Sequence, residues 1–239
     1  MKLVLLPGMD GTGTLFSEFI AMLPGTYEAV AVSYPTEQYL PYSELEEIVR
    51  VACPTSEPFV LLAESFSTPL ALQYAATNPT NLAGLVLCAG FAASPVKGWR
   101  RFLGSLLAPL MFHLPLPNLA AKLWLVGPDA PTSLLVSVRD AISSVQPRVL
   151  AARLRAVLAS DVRRAVGQIG VPILYLQAKQ DRLVSASCLK VIQWSKPDVA
   201  VAVLDGPHLL LQKHPLKAVE VVMEFASRTL QATLPTASG

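Results

Sequence analysis

The feature that most restricts this chain is a rhythm in which short apolar runs, rich in β-branched residues, alternate with amphipathic helical segments. The apolar runs fall at 2–6, 28–33, 58–62, 83–88, 172–177 and 199–204. Nearly continuous apolar runs of this length suit strands buried on both faces, and a helix between successive strands returns the chain so that each new strand runs in the same direction. The rhythm therefore predicts an α/β protein with a mostly parallel sheet flanked by helices. Leu15, Phe16, Phe19, Ile20 and Leu23 form a helical stripe over 14–23. Ser43 with Glu46 reads as a capping box for a helix over 44–52. Pro69 suits the first turn of a helix that Asn78-Pro79 ends, and the last helix is expected over 215–231.

The rhythm breaks between Ser94 and Ala156, where prolines interrupt short apolar helical pieces. Residues 1–93 and 157–239 are thus expected to form the core, with 94–156 inserted as a helical cap. Within 102–138 only Lys122 and Asp129 are charged. The charge-free stretch from Phe102 to Ala121 has the length of a membrane span, but Pro109, Pro115, Pro117 and His113 argue for a lid of short helices. The whole chain is 52% hydrophobic and 15% charged, against roughly 25% charged in ordinary soluble proteins, so an apolar partner has to be considered. With 19 basic and 17 acidic residues, a net charge of +2 and no basic run, it has no nucleic-acid footprint. Cys53, Cys88 and Cys188 lie far apart, which suggests neither a disulfide framework nor a zinc site and fits a cytoplasmic chain. The segment before Pro7-Gly8 is too short for a signal-peptide core, and the tail Thr233 to Gly239 is expected to fray.

Ser65 lies three residues past the run 58–62 and just before a helix, in Ala63-Glu64-Ser65-Phe66-Ser67. A sharp strand–turn–helix junction can hold a serine with its hydroxyl clear of the sheet, provided that the residues two before and two after it are small. Ala63 and Ser67 are small, although glycine is usual at both places. Ser65 could equally be a helix N-cap. A serine nucleophile needs a general base, and the base needs a group that fixes its tautomer. Of three histidines, His113 sits in the apolar insertion and His214 at the entry to the last helix. His208, in Asp205-Gly206-Pro207-His208, follows a strand and is the preferred base. Asp181, also past a strand end, is the preferred orienting acid over Asp161 and Asp205. The loop Pro7-Gly8-Met9-Asp10-Gly11-Thr12-Gly13 has a backbone able to aim N–H groups at a developing oxyanion, with Met9 as one donor and Phe66 as the other.

The same glycines invite a dinucleotide reading. Gly8, Gly11 and Gly13 are spaced three then two, the reverse of G-x-G-x-x-G, and Ser33-Tyr34-Pro35 offers no acid for a ribose. Tyr175 and Lys179 have a Tyr-x-x-x-Lys spacing but fall on a strand and its exit. No cofactor and no metal is expected.

The Leu-Pro-Gly-Met-Asp-Gly-Thr-Gly loop, Leu61-Leu62-Ala63-Glu64-Ser65-Phe66-Ser67, Val171-Pro172-Ile173-Leu174 leading to Asp181-Arg182-Leu183-Val184, and Gly206-Pro207-His208 together resemble the α/β-hydrolase superfamily, in particular its small esterases, lipases and acyltransferases. The resemblance covers almost all of the chain outside the insertion. It departs from the usual pattern at Pro7, where histidine is common, and at Ala178, where glycine is common. It implies a triad of Ser65, Asp181 and His208 and a cap at 94–156, and from these an ester hydrolase acting on a small apolar ester, with an acyltransferase or a non-catalytic binding protein of the same fold as alternatives. Apolar residues of the insertion, among them Trp99, Phe102, Leu106, Leu110, Phe112 and Leu125, are expected to line an acyl pocket over Ser65. The insertion is also expected to rest on a lipid surface through Lys97, Arg100 and Arg101.

Overall fold

A computed structural model describes residues 2–113 and 117–233, with Pro115 and the tail past Thr233 outside the described residues. The first half of the chain alternates β1 (Lys2–Leu6), α1 (Ser17–Ala21), β2 (Glu28–Ala31), α2 (Tyr42–Ala52), β3 (Phe59–Glu64), α3 (Thr68–Ala76) and β4 (Leu82–Cys88). An insertion follows, with α4 (Trp99–His113), α5 (Asn118–Ala121), α6 (Thr132–Ser143) and α7 (Pro147–Ala159). The rhythm then resumes with α8 (Arg163–Val166), β5 (Ile173–Ala178), α9 (Ser187–Ser195), β6 (Ala200–Leu204), α10 (Leu210–Lys213) and α11 (Pro215–Thr233).

The strands form one sheet in the order β2-β1-β3-β4-β5-β6, and every pairing in it is parallel. Successive strand residues serve opposite faces. Val4, Leu6, Leu61, Leu85 and Leu87 join a core with α2, α3 and α9, whereas Leu3, Leu5, Leu62, Val86 and Leu176 join one with α1 and α11. Every residue of β3 and β4 is buried, which is why those two runs lack the alternation of a half-exposed strand. Because β1 lies between β2 and β3, the order reverses there, and the loops after β1 and β3 flank the crevice where open α/β sheets take ligands.

Local differences from the sequence reading have identifiable causes. The helix expected over 14–23 is a 3₁₀ turn at Thr14–Phe16 followed by the short α1, because Pro24 bars the residue before it from continuing a helix. Ser43 is not an N-cap. The carbonyl of Pro41 accepts hydrogen bonds from Glu44 and Leu45 N–H, so α2 already starts at Tyr42 and no capping box forms. β2 stops at Ala31 because Tyr34 N–H turns to bond the carbonyl of Gly11. The insertion is closed at its neck: Ala93 bridges Asp161 antiparallel, Ser94 N–H donates to Ser160 O and Val162 N–H to Ala92 O. Residue 156 falls inside α7, and these neck bonds lie just past that helix. Among the described residues no helix is long and apolar enough to cross a membrane.

The last residue of β3, Glu64, carries a carboxyl into this apolar layer at 1% exposure. One oxygen accepts a hydrogen bond from Gln212 Nε2 at 3.1 Å, and the other has no partner among the described residues. Burial pushes the Glu64 pKa up to about 7, with His208 opposing the rise. A carboxyl whose pKa is higher folded than unfolded favours folding while protonated. That contribution is complete below the unfolded value, near 4.5, and is lost as pH rises through about 7. Urea unfolding between pH 5 and 8 is expected to show the parent losing up to about 3 kcal/mol that Glu64→Gln does not lose. Parallel profiles for the two proteins would contradict this reading of Glu64.

Candidate active site

Ser65 is the first residue after β3, and its φ is +47°, the left-handed region that a side chain rarely adopts. The cost is offset by what surrounds the turn. Thr68 Oγ1 donates to Ser65 O at 2.8 Å and accepts Phe91 N–H at 3.1 Å, tying the turn to the exit of β4. Ala63 is fully buried, as a close strand–helix crossing requires. Ser67 does more than stay small: its hydroxyl donates to the carbonyl of Pro7 and shares a 2.8 Å hydrogen bond with Tyr34 Oη. A glycine could not make this link between the β3 turn and the β1 loop. Ser67, not Ser65, occupies the N-cap position of α3, so the helix-cap reading of Ser65 does not hold.

The Ser65 hydroxyl meets His208. Oγ lies 2.9 Å from His208 Nε2, and His208 Nδ1 lies 2.8 Å from Asp181 Oδ2. The other Asp181 oxygen accepts Leu183 N–H at 2.8 Å and Val184 N–H at 2.9 Å, so the carboxylate is fixed before it touches the ring. His208 and Asp181 side chains are 5% and 3% exposed, a setting in which a hydrogen bond to a charged partner is strong. Three residues separated by up to 143 positions are thus joined in one hydrogen-bonded line. The rivals lie elsewhere. Asp161 is bonded to Arg163, Asp205 accepts from Gln180, and His214 sits at the start of α11, its pKa lowered by burial. His113 ends α4.

Met9 and Phe66, the expected oxyanion donors, stand on the two loops at the switch point. Neither backbone N–H has an acceptor among the described residues. Phe66 is buried against Tyr42, whose hydroxyl donates to Phe66 O at 2.8 Å, and against the edge of Tyr34.

Sequence reasoning missed the residue that holds these loops together. Arg153, on α7 of the insertion, is 2% exposed. Its Nη1 donates to Met9 O at 2.9 Å and to Asp10 O at 2.6 Å, and its Nη2 donates to Pro35 O at 2.9 Å. The guanidinium carbon lies 5.8 Å from the ring centres of both Phe66 and Tyr34, within cation–π range. Burial lowers the Arg153 pKa, and Asp10 opposes that shift. Gly11, with φ +71°, exists to admit this group, since a Cβ there would stand 2.4 Å from Nη1. Gly11 of the β1 loop thus accommodates an arginine of the insertion. A sequence signal did exist: Arg153 is an isolated charge inside an apolar helical stripe that includes Val149 and Leu150.

The insertion also packs beside the site. Phe112 and Met9 join Val145, Val149 and Leu150, and Leu209 N–H, next to His208, donates to Leu125 O at 2.9 Å. Phe112 and Leu125 are thus turned into the protein, but Trp99, Phe102, Leu106 and Leu110, expected in a pocket over Ser65, are open to solvent. The reason is that α4 sets its small residues against α7: a Cβ on Gly104 would stand 3.3 Å from Leu158 Cδ1, and Ala108 is fully buried. Tyr175 of the Tyr-x-x-x-Lys spacing is buried in β5 and donates to Gly90 O.

Solved structures of the same architecture span nearly the whole chain. The esterase from Thermogutta terrifontis superposes with a TM-score of 0.80 at 17% identity, covering 96% of this chain and 90% of its own. The esterase EaEST from Exiguobacterium antarcticum gives 0.78 at 16%, covering 95% and 92%. MenH from S. aureus gives 0.76 at 16%, covering 96% and 94%. At such identities the likeness shows the fold. No curated protein sequence matches the chain. The family model described as the alpha/beta hydrolase family matches residues 3–221, most of the length and every element of the site, and the chain belongs to that family.

Proposed function

We propose that this hydrolase cleaves carboxylic esters with an apolar acyl or alcohol part through an acyl-enzyme on Ser65, without a cofactor. The observation that carries the reading is the unbroken line from Ser65 Oγ through His208 to Asp181, with contacts of 2.9 and 2.8 Å. In this reading His208 Nε2 takes the Ser65 proton as Oγ attacks the ester carbonyl, and Asp181 holds Nδ1–H and faces the charge that forms on the ring. The carbonyl oxygen, now negative, accepts hydrogen bonds from Met9 and Phe66 N–H. Collapse of the intermediate breaks the ester C–O bond, and His208 returns its proton to the departing alcohol. Water, deprotonated by His208, then attacks the acyl carbon and frees the acid and Ser65. The esterases among the structural neighbours support the substrate class. The packing of Met9 with Phe112 supports an apolar approach and a cap role for the insertion. Three buried free thiols support residence in a reducing compartment such as the cytoplasm.

Turnover of p-nitrophenyl butyrate is expected to fall by about a thousand-fold or more in Ser65→Ala, with unchanged thermal unfolding. Equal turnover would overturn the assignment of Ser65. Arg153 acts as a positioning residue, holding the carbonyl of Met9 while its guanidinium rests on Phe66. Arg153→Lys is expected to lower kcat by about tenfold or more with a smaller change in KM, since a disturbed donor loop weakens the transition state more than the substrate complex. A loss confined to KM would contradict that role.

A further inference from the structure

Helix α4 is inverted relative to a helix that faces water. Its small residues Gly104 and Ala108 pack on α7, while Trp99, Phe102, Leu106, Leu110 and Met111 are 56–75% exposed. Trp99, Phe102, Leu106 and Leu110 recur at intervals of three, four and four, so these four occupy one face over most of the helix, and Met111 adds exposed apolar surface beside its C-terminal end. Isolated exposed apolar residues are ordinary, but a continuous stripe of them needs a covering partner. In the same insertion Leu119 and Trp124 are exposed as well.

The charges carried by α4 and the chain around it have one sign. From 94 to 128 the charged residues are Lys97, Arg100, Arg101 and Lys122, with no acid. Arg100 and Arg101 are exposed in the first turn of α4, which has no acidic residue. A helix N-terminus already carries partial positive charge and ordinarily favours acids, so cations there find no counter-charge on α4 itself; the acid within electrostatic reach of Arg101 is Asp161, past α7, which is ion-paired with Arg163. An apolar stripe flanked by such cations fits the boundary of an anionic bilayer, where the rings and leucines enter the acyl region and the guanidinium groups meet the headgroups. A second copy of the chain would bring the same cations to the same face with no acid from this segment to pair them.

We infer that α4 docks the protein on an anionic membrane surface, lying in the plane of the interface. The inference does not depend on the chemistry of Ser65. It is tested by co-sedimentation of the whole chain with vesicles of phosphatidylcholine alone and of phosphatidylcholine with about one-third phosphatidylglycerol. The parent is expected to bind the anionic vesicles, more weakly as salt rises. Arg100→Gln with Arg101→Gln, at two exposed positions, is expected to weaken binding by about thirty-fold. Phe102→Ser with Leu106→Ser is expected to abolish it. Both pairs should keep the parent's p-nitrophenyl butyrate turnover in vesicle-free buffer, or, should the chain lack that activity, its unfolding curve. No binding by the parent, equal binding to both vesicle types, or undiminished binding by the arginine pair would overturn the inference. So would a concentration-dependent dimer that forms without vesicles and that the Phe102 and Leu106 changes dissociate.

Discussion

All six strands point one way, and the rest of the molecule follows from that constraint. Parallel strands buried on both faces leave no room for polar chemistry within the sheet, so reactive groups collect on the loops at its carboxyl edge. Ser65 follows β3, Asp181 lies three residues past β5 and His208 four past β6, and the common direction delivers all three to one edge. The register of the β3, β4, β5 and β6 ladders sets how far each loop reaches. Separations of 2.9 and 2.8 Å between residues so distant in sequence are a product of that sheet.

The insertion braces the loops around Ser65. A single buried guanidinium from α7 ties the Met9 and Asp10 carbonyls of the β1 loop to the Pro35 carbonyl past β2, and rests against Phe66 beyond β3. Ser67 makes a second tie, from the β3 turn to Pro7. Both ties converge on the loops that carry the Met9 and Phe66 N–H groups. Glu64, directly beneath Ser65, works against stability at neutral pH because its carboxyl is buried with one oxygen unpartnered. A site that places charge and strain in an apolar layer needs such bracing.

Much of this was legible in the chain. The six apolar runs located the strands to within a few residues, since burial on both faces writes itself as continuous hydrophobicity. Ser65, Asp181 and His208 were legible because strand ends and small elbow residues leave local marks. The missing parts depend on contacts distant in sequence. Nothing near Ser43 reveals that the Pro41 carbonyl starts α2, and nothing in the β1 loop announces that Arg153, more than 140 positions away, fills the space above Gly11. The outward turn of Trp99, Phe102 and Leu106 is hidden for a related reason. Their apolar character points to an acyl pocket over Ser65, whereas Gly104 and Ala108 form the packing side of α4.

The central claim is that Ser65 is an activated nucleophile. Its most direct test is reaction of the folded protein with a fluorophosphonate, followed by mass mapping of the modified peptide. The account predicts one adduct per chain, on Ser65, formed far more slowly when His208 is replaced by glutamine. A folded protein that stays unmodified, or an adduct on another residue, would contradict it.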